Sequence, residues 1–209
     1  MNIHSWIATI IMTSPATHLP AKQQLKQDAI LKAALTLFTQ RGFHGTAVPD
    51  VAKLADVGTG TIYRYFDSKE ALVNSVFQRA KTLLRDTLRV DSFDVSLPPR
   101  DLFHLFWQRL VQFADSYPLE FRFLELQDHA PYLDDISRQI ELQVLLPVWQ
   151  FCLDARKKGT ARHMEPGALM ALIWGAFVGL RKAAYTGYLT LDVEVMEKAE
   201  EACWAMFTG

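Results

Sequence analysis

The dominant feature of this sequence is the recurrence of apolar residues at helical spacing along most of the chain. In the first such segment the apolar positions are Ile30, Ala33, Ala34, Leu37 and Phe38, at i, i+3, i+4, i+7 and i+8. No segment alternates apolar and polar residues as a half-buried strand does. Half of the 209 residues are apolar, so the chain can bury a core. The pattern predicts an all-α protein of about nine helices.

Caps and helix breakers set the predicted ends of the N-terminal helices. The first helix covers residues 21–41 and ends before Gly42, a residue that readily takes a positive φ. Thr46 precedes the next apolar run, and its hydroxyl is predicted to cap that helix, with Pro49 in the first turn. Asp67 followed by Glu70 resembles a capping box and predicts the start of a longer helix.

A polar segment at residues 89–100 contains two prolines and interrupts the helical period, so the domain boundary is predicted there. Residues 1–19 then form a loose N-terminal arm, without the basic start of a secretory signal and with Met12 as an alternative initiator. Residues 20–89 form a small helical domain and residues 90–209 a larger one. Helices in the larger domain are predicted at 132–158, with a kink at Pro147, and at 165–185 and 192–207.

Charge is divided unequally between the two predicted domains. Residues 20–89 carry 11 basic and 6 acidic side chains, whereas residues 90–209 carry 11 basic and 17 acidic ones. The basic excess suggests that the first domain meets a polyanion. Two distant cysteines, Cys152 and Cys203, have no CxxC partner and predict buried thiols in a reducing cytoplasm. The uncharged run 167–180 is too short to span a bilayer, so a buried core helix and no membrane partner are predicted.

The chemistry of one turn predicts a helix-turn-helix. This unit needs a small residue where two helices approach, a turn residue able to take a positive φ, and an apolar residue on the second helix. Ala52, Asp56 and Ile62 supply these at offsets of four and six, with Val57 as an apolar plug in the turn. Aspartate enters the left-handed region more readily than most residues.

Around this turn the sequence resembles the TetR family of bacterial transcriptional regulators. The resemblance covers residues 30–77, and its most specific part is the run GTIYRYF at 60–66 followed by KEAL at 69–72. Asp56 stands where the family mostly has glycine, and Gly58 where it mostly has serine as the helix cap. Both substitutes suit their positions, aspartate in a left-handed turn and glycine at an N-cap.

The helix-turn-helix at 47–66 places the candidate DNA contacts. A recognition helix at 59–66 presents Thr59, Gly60, Thr61 and Tyr63 to base edges, while Ile62 and Phe66 face the domain core. The resemblance implies that Tyr63, Tyr65 and Lys69 bind DNA phosphates. It also implies that Thr46 and Ala47 lie at the DNA backbone. Arg64 faces either DNA or solvent. Alternatively, the two tyrosines do not contact DNA and belong to the core of a three-helix bundle.

The resemblance implies that the second domain binds a small effector and forms the dimer. An excess of aromatic residues supports a pocket, although ordinary core packing is the alternative for each of them. The candidate ligand contacts are Trp107, Leu110, Phe121, His129, Trp149 and Phe177, with Arg109, Glu125, Gln127 and Gln143 as candidates for a polar ligand end. The sequence contains no His pair at i, i+4, so neither a metal nor a cofactor is predicted.

Small residues at every fourth position predict a dimer interface. Ala171, Gly175, Gly179 and Ala183 leave one helix face nearly flat, which allows close helix packing. With the last helix they would form a four-helix bundle across a two-fold axis. The predicted interface residues are Ala171, Trp174, Gly175, Val178, Gly179, Val195, Ala199, Ala202 and Met206. Packing against the chain's own helices is the alternative.

The resulting prediction is a homodimeric repressor that binds a palindromic operator in double-stranded DNA and is released by a largely apolar or aromatic effector. A corepressor-dependent or activating regulator and a non-catalytic helical interaction module are the alternatives. An enzyme is not predicted, because no nucleophile–base pair, phosphate loop or metal spacing is present in the sequence.

Overall fold

The computed structural model describes residues 21–89, 94, 96–126 and 128–209, so the predicted arm at 1–19 and Gln127 lie outside the described residues. These ranges contain nine α-helices, one 3-10 helix and no β-strand. The α-helices are α1 (Ala21–Arg41), α2 (Val48–Leu54), α3 (Thr59–Ile62), α4 (Lys69–Leu88), α5 (Pro99–Ser116), α6 (Pro118–Leu126), α7 (Asp135–Lys157), α8 (Pro166–Tyr185) and α9 (Val193–Thr208), and the 3-10 helix is Ala130–Tyr132. The predicted all-α class is confirmed.

The turn between α2 and α3 has the geometry that the sequence predicts. Asp56 takes the left-handed conformation with φ 53°, and the Val57 N–H donates to the Ala52 carbonyl at 3.0 Å. Gly58 is the N-cap residue of α3, as predicted. Ile62 is 1% exposed and packs into the core that α1 and α2 share. The two helices therefore meet as a helix-turn-helix.

The predicted cap of α2 is wrong. Thr46 Oγ1 donates to the carbonyls of Leu37 and Gly42, at 3.1 and 2.8 Å, and the N-cap position belongs to Ala47. Thr46 is only 2% exposed. Its hydroxyl is thus engaged by the end of α1, because packing turned the side chain inward rather than toward the free amides of α2.

The cap of α4 lies one residue later than predicted. Ser68, not Asp67, is the N-cap, and its Oγ accepts the Ala71 N–H at 3.1 Å. The backbone N–H of Glu70 itself and the Ser68 hydroxyl hold the pKa of the Glu70 carboxyl below its usual value. The carboxylate at the helix start therefore stabilises the N-terminus of α4, although not as the third residue of a capping box.

Helix α4 joins the N-terminal helices to the rest of the chain, packing against α1 on one side and against α5 and α7 on the other. Helix α5 buries an apolar face that includes Phe103, Trp107 and Leu110. Helix α7 begins at Asp135, later than predicted, because the 3-10 helix occupies the preceding residues. Asp134 caps it by accepting the Ser137 N–H at 2.7 Å.

Helix α8 is not the buried core helix that its sequence predicts. It is the one described helix long and apolar enough to cross a membrane by length and composition, yet only 17% of its apolar window is buried in this chain. Leu169, Ile173 and Phe177 are buried on one side, whereas Gly175 and Gly179 are exposed on the other. Apolar composition alone does not reveal how many sides of a helix a single chain covers.

Candidate nucleic-acid interface and ligand cavity

Helix α3 and the turn that follows it present one side to solvent and bury the other. The solvent side carries Thr59, Gly60, Thr61, Tyr63 and Arg64, with Tyr63 51% exposed, and the buried side carries Ile62 and Phe66. A Cβ added to Gly60 would meet no atom within 4 Å. The backbone at Gly60 is therefore open to close approach by another surface, as direct contact with a DNA groove requires.

The helical part of this segment is shorter than predicted. The α-helix ends at Ile62 rather than Phe66, because the Tyr63 N–H lies 3.5 Å from the Thr59 carbonyl. The next two amides, of Arg64 and Tyr65, bond to carbonyls three residues back instead of four. The segment thus tightens after one helical turn, which leaves Tyr63 in the turn that follows the helix.

The predicted phosphate-binding residues differ in their accessibility. Lys69 is the first residue of α4, and its Nζ lies 4.3 Å from the centroid of the Phe43 ring. Tyr65 is partly exposed and Ala47 is exposed. Thr46 is buried and its hydroxyl is bonded to the end of α1, so we leave its side chain out of the proposed contacts.

A cavity of about 940 Å³ lies among the helices from α4 to α9. Its wall is mainly apolar and includes Leu84, Phe106, Leu110, Trp149 and Trp174. A cavity of this size accommodates a drug-sized molecule. Of the predicted ligand contacts, Leu110 and Trp149 lie on this wall.

The other four predicted ligand contacts lie in the packed core rather than on the cavity wall. The Phe177 ring packs edge-on against Trp107 and Phe121, with centroids 5.2 and 6.0 Å apart. His129 is 6% exposed, and its Nε2 donates to the Phe123 carbonyl. Aromatic residues at helical spacing look alike in sequence whether they pack together or line a space, so the sequence did not reveal that these four lie off the cavity wall.

Several ionisable residues on the cavity wall were missed, among them Lys81 and Glu141. Lys81 is buried on α4, and its Nζ lies 3.3 Å from Glu141 Oε1 on α7. The predicted polar residue Glu125 does line the cavity and accepts the Trp174 Nε1–H at 2.7 Å. Burial raises the pKa of the Glu125 carboxyl. The signal for Lys81 was its place in an apolar run, four residues after Phe77 and three before Leu84.

A hydrogen-bonded junction connects α4 to the residues that precede α7. Asn74 Nδ2 donates to the Tyr132 carbonyl at 2.8 Å, and Asn74 Oδ1 accepts the Asp134 N–H at 2.9 Å and the Ser137 hydroxyl at 2.8 Å. The Tyr132 ring stacks on Phe43, from the loop between α1 and α2, with centroids 4.4 Å apart. We name these residues the Asn74 junction. No sequence pattern indicated it, because its partners lie about 60 residues apart.

The predicted dimer face is accessible. Ala171, Gly175, Gly179 and Ala202 are exposed, and Trp174, Val178, Val195, Ala199 and Met206 are partly buried. A Cβ added to Gly175 or Gly179 would meet no atom within 4 Å. The chain's own helices therefore do not cover the small residues of α8.

Cysteine and metal chemistry add no further site. Cys152 and Cys203 are free and buried, as predicted, and burial raises the pKa of the Cys152 thiol to about 11. Thiols with such raised pKa values are poor nucleophiles at neutral pH. Within the described ranges, no three His, Cys, Asp or Glu side chains are grouped so that they could share a metal ion.

Comparison with known proteins agrees with this architecture. Residues 30–76 match the family described as bacterial regulatory proteins of the tetR family, and residues 77–208 match the tetracyclin repressor-like C-terminal domain. An uncharacterised helix-turn-helix transcriptional regulator from Haemophilus influenzae is 26% identical over 185 residues, which are 88% of this chain and 96% of the relative.

Solved structures show the same fold. A TetR-family transcription regulator from Marinobacter aquaeolei has a TM-score of 0.76 at 22% identity, covering 89% of this chain and 97% of that one. AibR, solved in complex with isovaleryl coenzyme A and operator DNA, has a TM-score of 0.67 at 16% identity, covering 88% of this chain and 98% of its own. The two family matches together extend over most of the sequence. The chain therefore belongs to the TetR family of bacterial regulatory proteins, and it is a DNA-binding transcriptional regulator rather than an enzyme.

Proposed function

We propose that the chain is a homodimeric repressor that reads a palindromic operator with α3, acting in the cytoplasm. The observation that carries this proposal is the exposed side of α3, where Tyr63 and the open backbone at Gly60 lie beside Thr59 and Thr61. Threonine hydroxyls and methyls suit base edges, and tyrosine suits phosphate oxygens. Tyr65, Lys69, Ala47 and, on the same exposed side, Arg64 complete the proposed DNA-binding surface.

In this proposal α8 and α9 form the dimer interface. The exposed small residues of α8 allow two copies of that helix to pack closely, with α9 beside them. Two α3 helices would then reach successive major grooves, about 34 Å apart. Residues 20–89 act as the DNA-binding domain and residues 90–209 as the regulatory domain.

The cavity that lies among helices α4 to α9 is the proposed effector site. Its size and apolar wall suit a small molecule, and the structural relative AibR was solved with both a small ligand and operator DNA. Leu110, Trp149, Trp174 and Glu125 are the proposed ligand contacts. An effector that prefers one arrangement of the two DNA-binding domains would shift operator affinity, and the operator would shift effector affinity by the same factor.

The Asn74 junction is the proposed route between the two sites. Helix α7 carries Glu141 and Val144 on the cavity wall, and the residues before it bond to Asn74 on α4. Tyr132 continues the connection to Phe43 beside the helix-turn-helix. A displacement of α7 by a ligand would therefore reach α4 and the loop between α1 and α2.

Fluorescence anisotropy with the DNA that flanks the gene, against scrambled DNA of equal length, tests the proposed DNA-binding surface. We expect Tyr63→Ala to weaken selective binding about 10-fold or more, while Tyr188→Ala, at a tyrosine that is 89% exposed in the other domain, leaves it unchanged. Lys69→Ala should lower the slope of log affinity against log salt by about one, and Lys198→Ala should not. Equal losses in the paired variants would refute the assignment.

A further inference from the structure

The charges on the cavity wall sum to zero but are unevenly distributed. The ionisable side chains there form two groups: Lys81, Glu125 and Glu141 on α4, α6 and α7, and Asp154, Lys157 and Lys158 near the end of α7. The first group, which we name the inner charges, contains two carboxylates and one ammonium group. The second group, which we name the rim charges, contains one carboxylate and two ammonium groups.

Within the inner charges, one ammonium group serves two carboxylates: Lys81 forms an ion pair with Glu141, and its charge also acts on Glu125 without an ion pair. Lys81 Nζ lies 3.3 Å from Glu141 Oε1, so these two charges pair. Glu125 accepts a hydrogen bond from the neutral indole of Trp174 at 2.7 Å. In the described part of the chain no ion pair joins Glu125 to a basic side chain. The inner charges therefore carry one net negative charge when both carboxylates are ionised, and Glu125 is the carboxylate outside the ion pair.

A partly buried carboxylate without an ion pair is costly, and a cationic ligand group can supply the missing partner. Burial raises the pKa of the Glu125 carboxyl, as expected for such a group. Aromatic rings of Phe106, Trp149 and Trp174 line the same cavity. Ring faces attract cations, most strongly where water is excluded. Both features of the wall favour a positive ligand group.

The rim charges favour anions but act more weakly. Lys157 is 72% exposed, and Asp154 lies 3.4 Å from its Nζ. Exposed charges are screened by salt and water, whereas buried charges are screened much less. The inner charges therefore decide which ligand charge the cavity accepts.

We propose that the cavity selects a singly charged organic cation with an apolar body, held by Glu125 at its positive end and by the aromatic and aliphatic wall along its length. This inference rests on the proposed effector site and names the chemical class of its ligand. A primary or substituted amine with an aliphatic or aromatic body meets the description. A carboxylate, a thioester of coenzyme A or a neutral alcohol does not.

Isothermal titration calorimetry with three probes of equal length tests the proposal: octylamine, 1-octanol and octanoate, at neutral pH with the full chain. We expect octylamine to bind about 10-fold tighter than 1-octanol, and octanoate to bind weakest. Glu125→Gln should remove the preference for octylamine while 1-octanol affinity changes less than about twofold. Glu197→Gln, an exposed glutamate on α9, is the matched control and should keep the preference.

A second variant separates charge selection from a folding defect. Lys81→Met removes the only inner ammonium group and should increase the preference for octylamine, the opposite direction to Glu125→Gln. If these residues had a purely structural role, both variants would change the preference for octylamine in the same direction. Tighter binding of 1-octanol or octanoate than of octylamine would overturn the ligand class and leave the effector site standing. Failure of all three probes to bind would overturn the effector site as well.

Discussion

The two regions of the molecule organise their functional residues in different ways. Apart from Ala47, the proposed DNA-binding surface comes from one short segment, residues 59–69, on the outside of a small core. The cavity draws its wall from α4 through α9, between Lys81 and Phe207. Recognition of a long polyanion needs a protruding surface, whereas recognition of a small molecule needs an enclosed space. A protruding surface can be formed by one local sequence motif, whereas an enclosed space requires several helices to pack around it.

The largest expected effect tests whether the two regions depend on one core. Ile62→Ala removes a side chain that is 1% exposed beneath α3, and we expect it to lower the free energy of unfolding by about 2–5 kcal/mol. Operator binding should be lost, while octylamine binding to the cavity persists wherever the protein remains folded. Urea unfolding gives the stability. The control is Leu54→Ala on α2, 53% exposed, with an expected change below about 0.5 kcal/mol.

The next effect concerns the exposed face of α8, where the comparison extends to a second copy of the chain. Gly175→Arg places a long charged side chain where this chain has open space. We expect the dissociation constant of the dimer to increase about 50-fold or more, equivalent to about 2.3 kcal/mol, without loss of helical content. Sedimentation velocity measures the dimer. Glu201→Arg, exposed on α9, should leave dimerisation intact, and a Gly175→Arg protein that stays dimeric would remove α8 from the interface.

A smaller effect should separate the two regions without damaging either. Asn74→Ala removes the side chain that holds Tyr132, Asp134 and Ser137. We expect the factor by which a bound cavity ligand changes operator affinity to fall about 10-fold, equivalent to about 1.4 kcal/mol of coupling. Anisotropy with and without octylamine measures it. Ser75→Ala is the control, since the Ser75 hydroxyl bonds only to the Ala71 carbonyl of its own helix; equal coupling in both variants would exclude the junction.

The smallest effect is a pH dependence of the free energy of unfolding. It arises from His129 in the packed core of the second domain. Burial lowers the pKa of His129 below the usual 6.5, so the folded state resists a proton that the unfolded state takes up. Stability should therefore fall as pH drops from about 7 to 5, by less than about 1 kcal/mol from this group. His129→Gln should flatten that part of the profile measured by urea unfolding. His163→Gln, at an exposed histidine, should keep the wild-type profile.

The sequence alone predicted features that depend on neighbouring residues. Helical periodicity gave the all-α class, and the spacing of Ala52, Asp56 and Ile62 gave the helix-turn-helix, whose left-handed Asp56 the structure confirms. The helices predicted at 165–185 and 192–207 begin one residue later in the structure, where Glu165 and Asp192 are their N-caps. Local rules succeed here because caps and turns are satisfied within a few residues.

Caps failed where the rest of the fold competed for the same group. Thr46 has the chemistry of an N-cap, yet the end of α1 takes its hydroxyl. The recognition helix ended early because its amides changed partner after one turn. In both cases a residue had two satisfactory hydrogen-bonding arrangements, and the choice between them depended on packing.

By itself, the sequence determined the fold class, the helix-turn-helix and the residues that α3 presents to solvent, because each follows from periodicity and turn chemistry over short distances. Only the tertiary structure decided which aromatic residues line the cavity, that Lys81 and Glu125 share its wall, and that Asn74 bonds to residues before α7. These relations join positions 44 to 63 residues apart in the chain. Periodicity tells which face of a helix is apolar, but only the packed helices determine whether that face meets a core, a cavity or a partner.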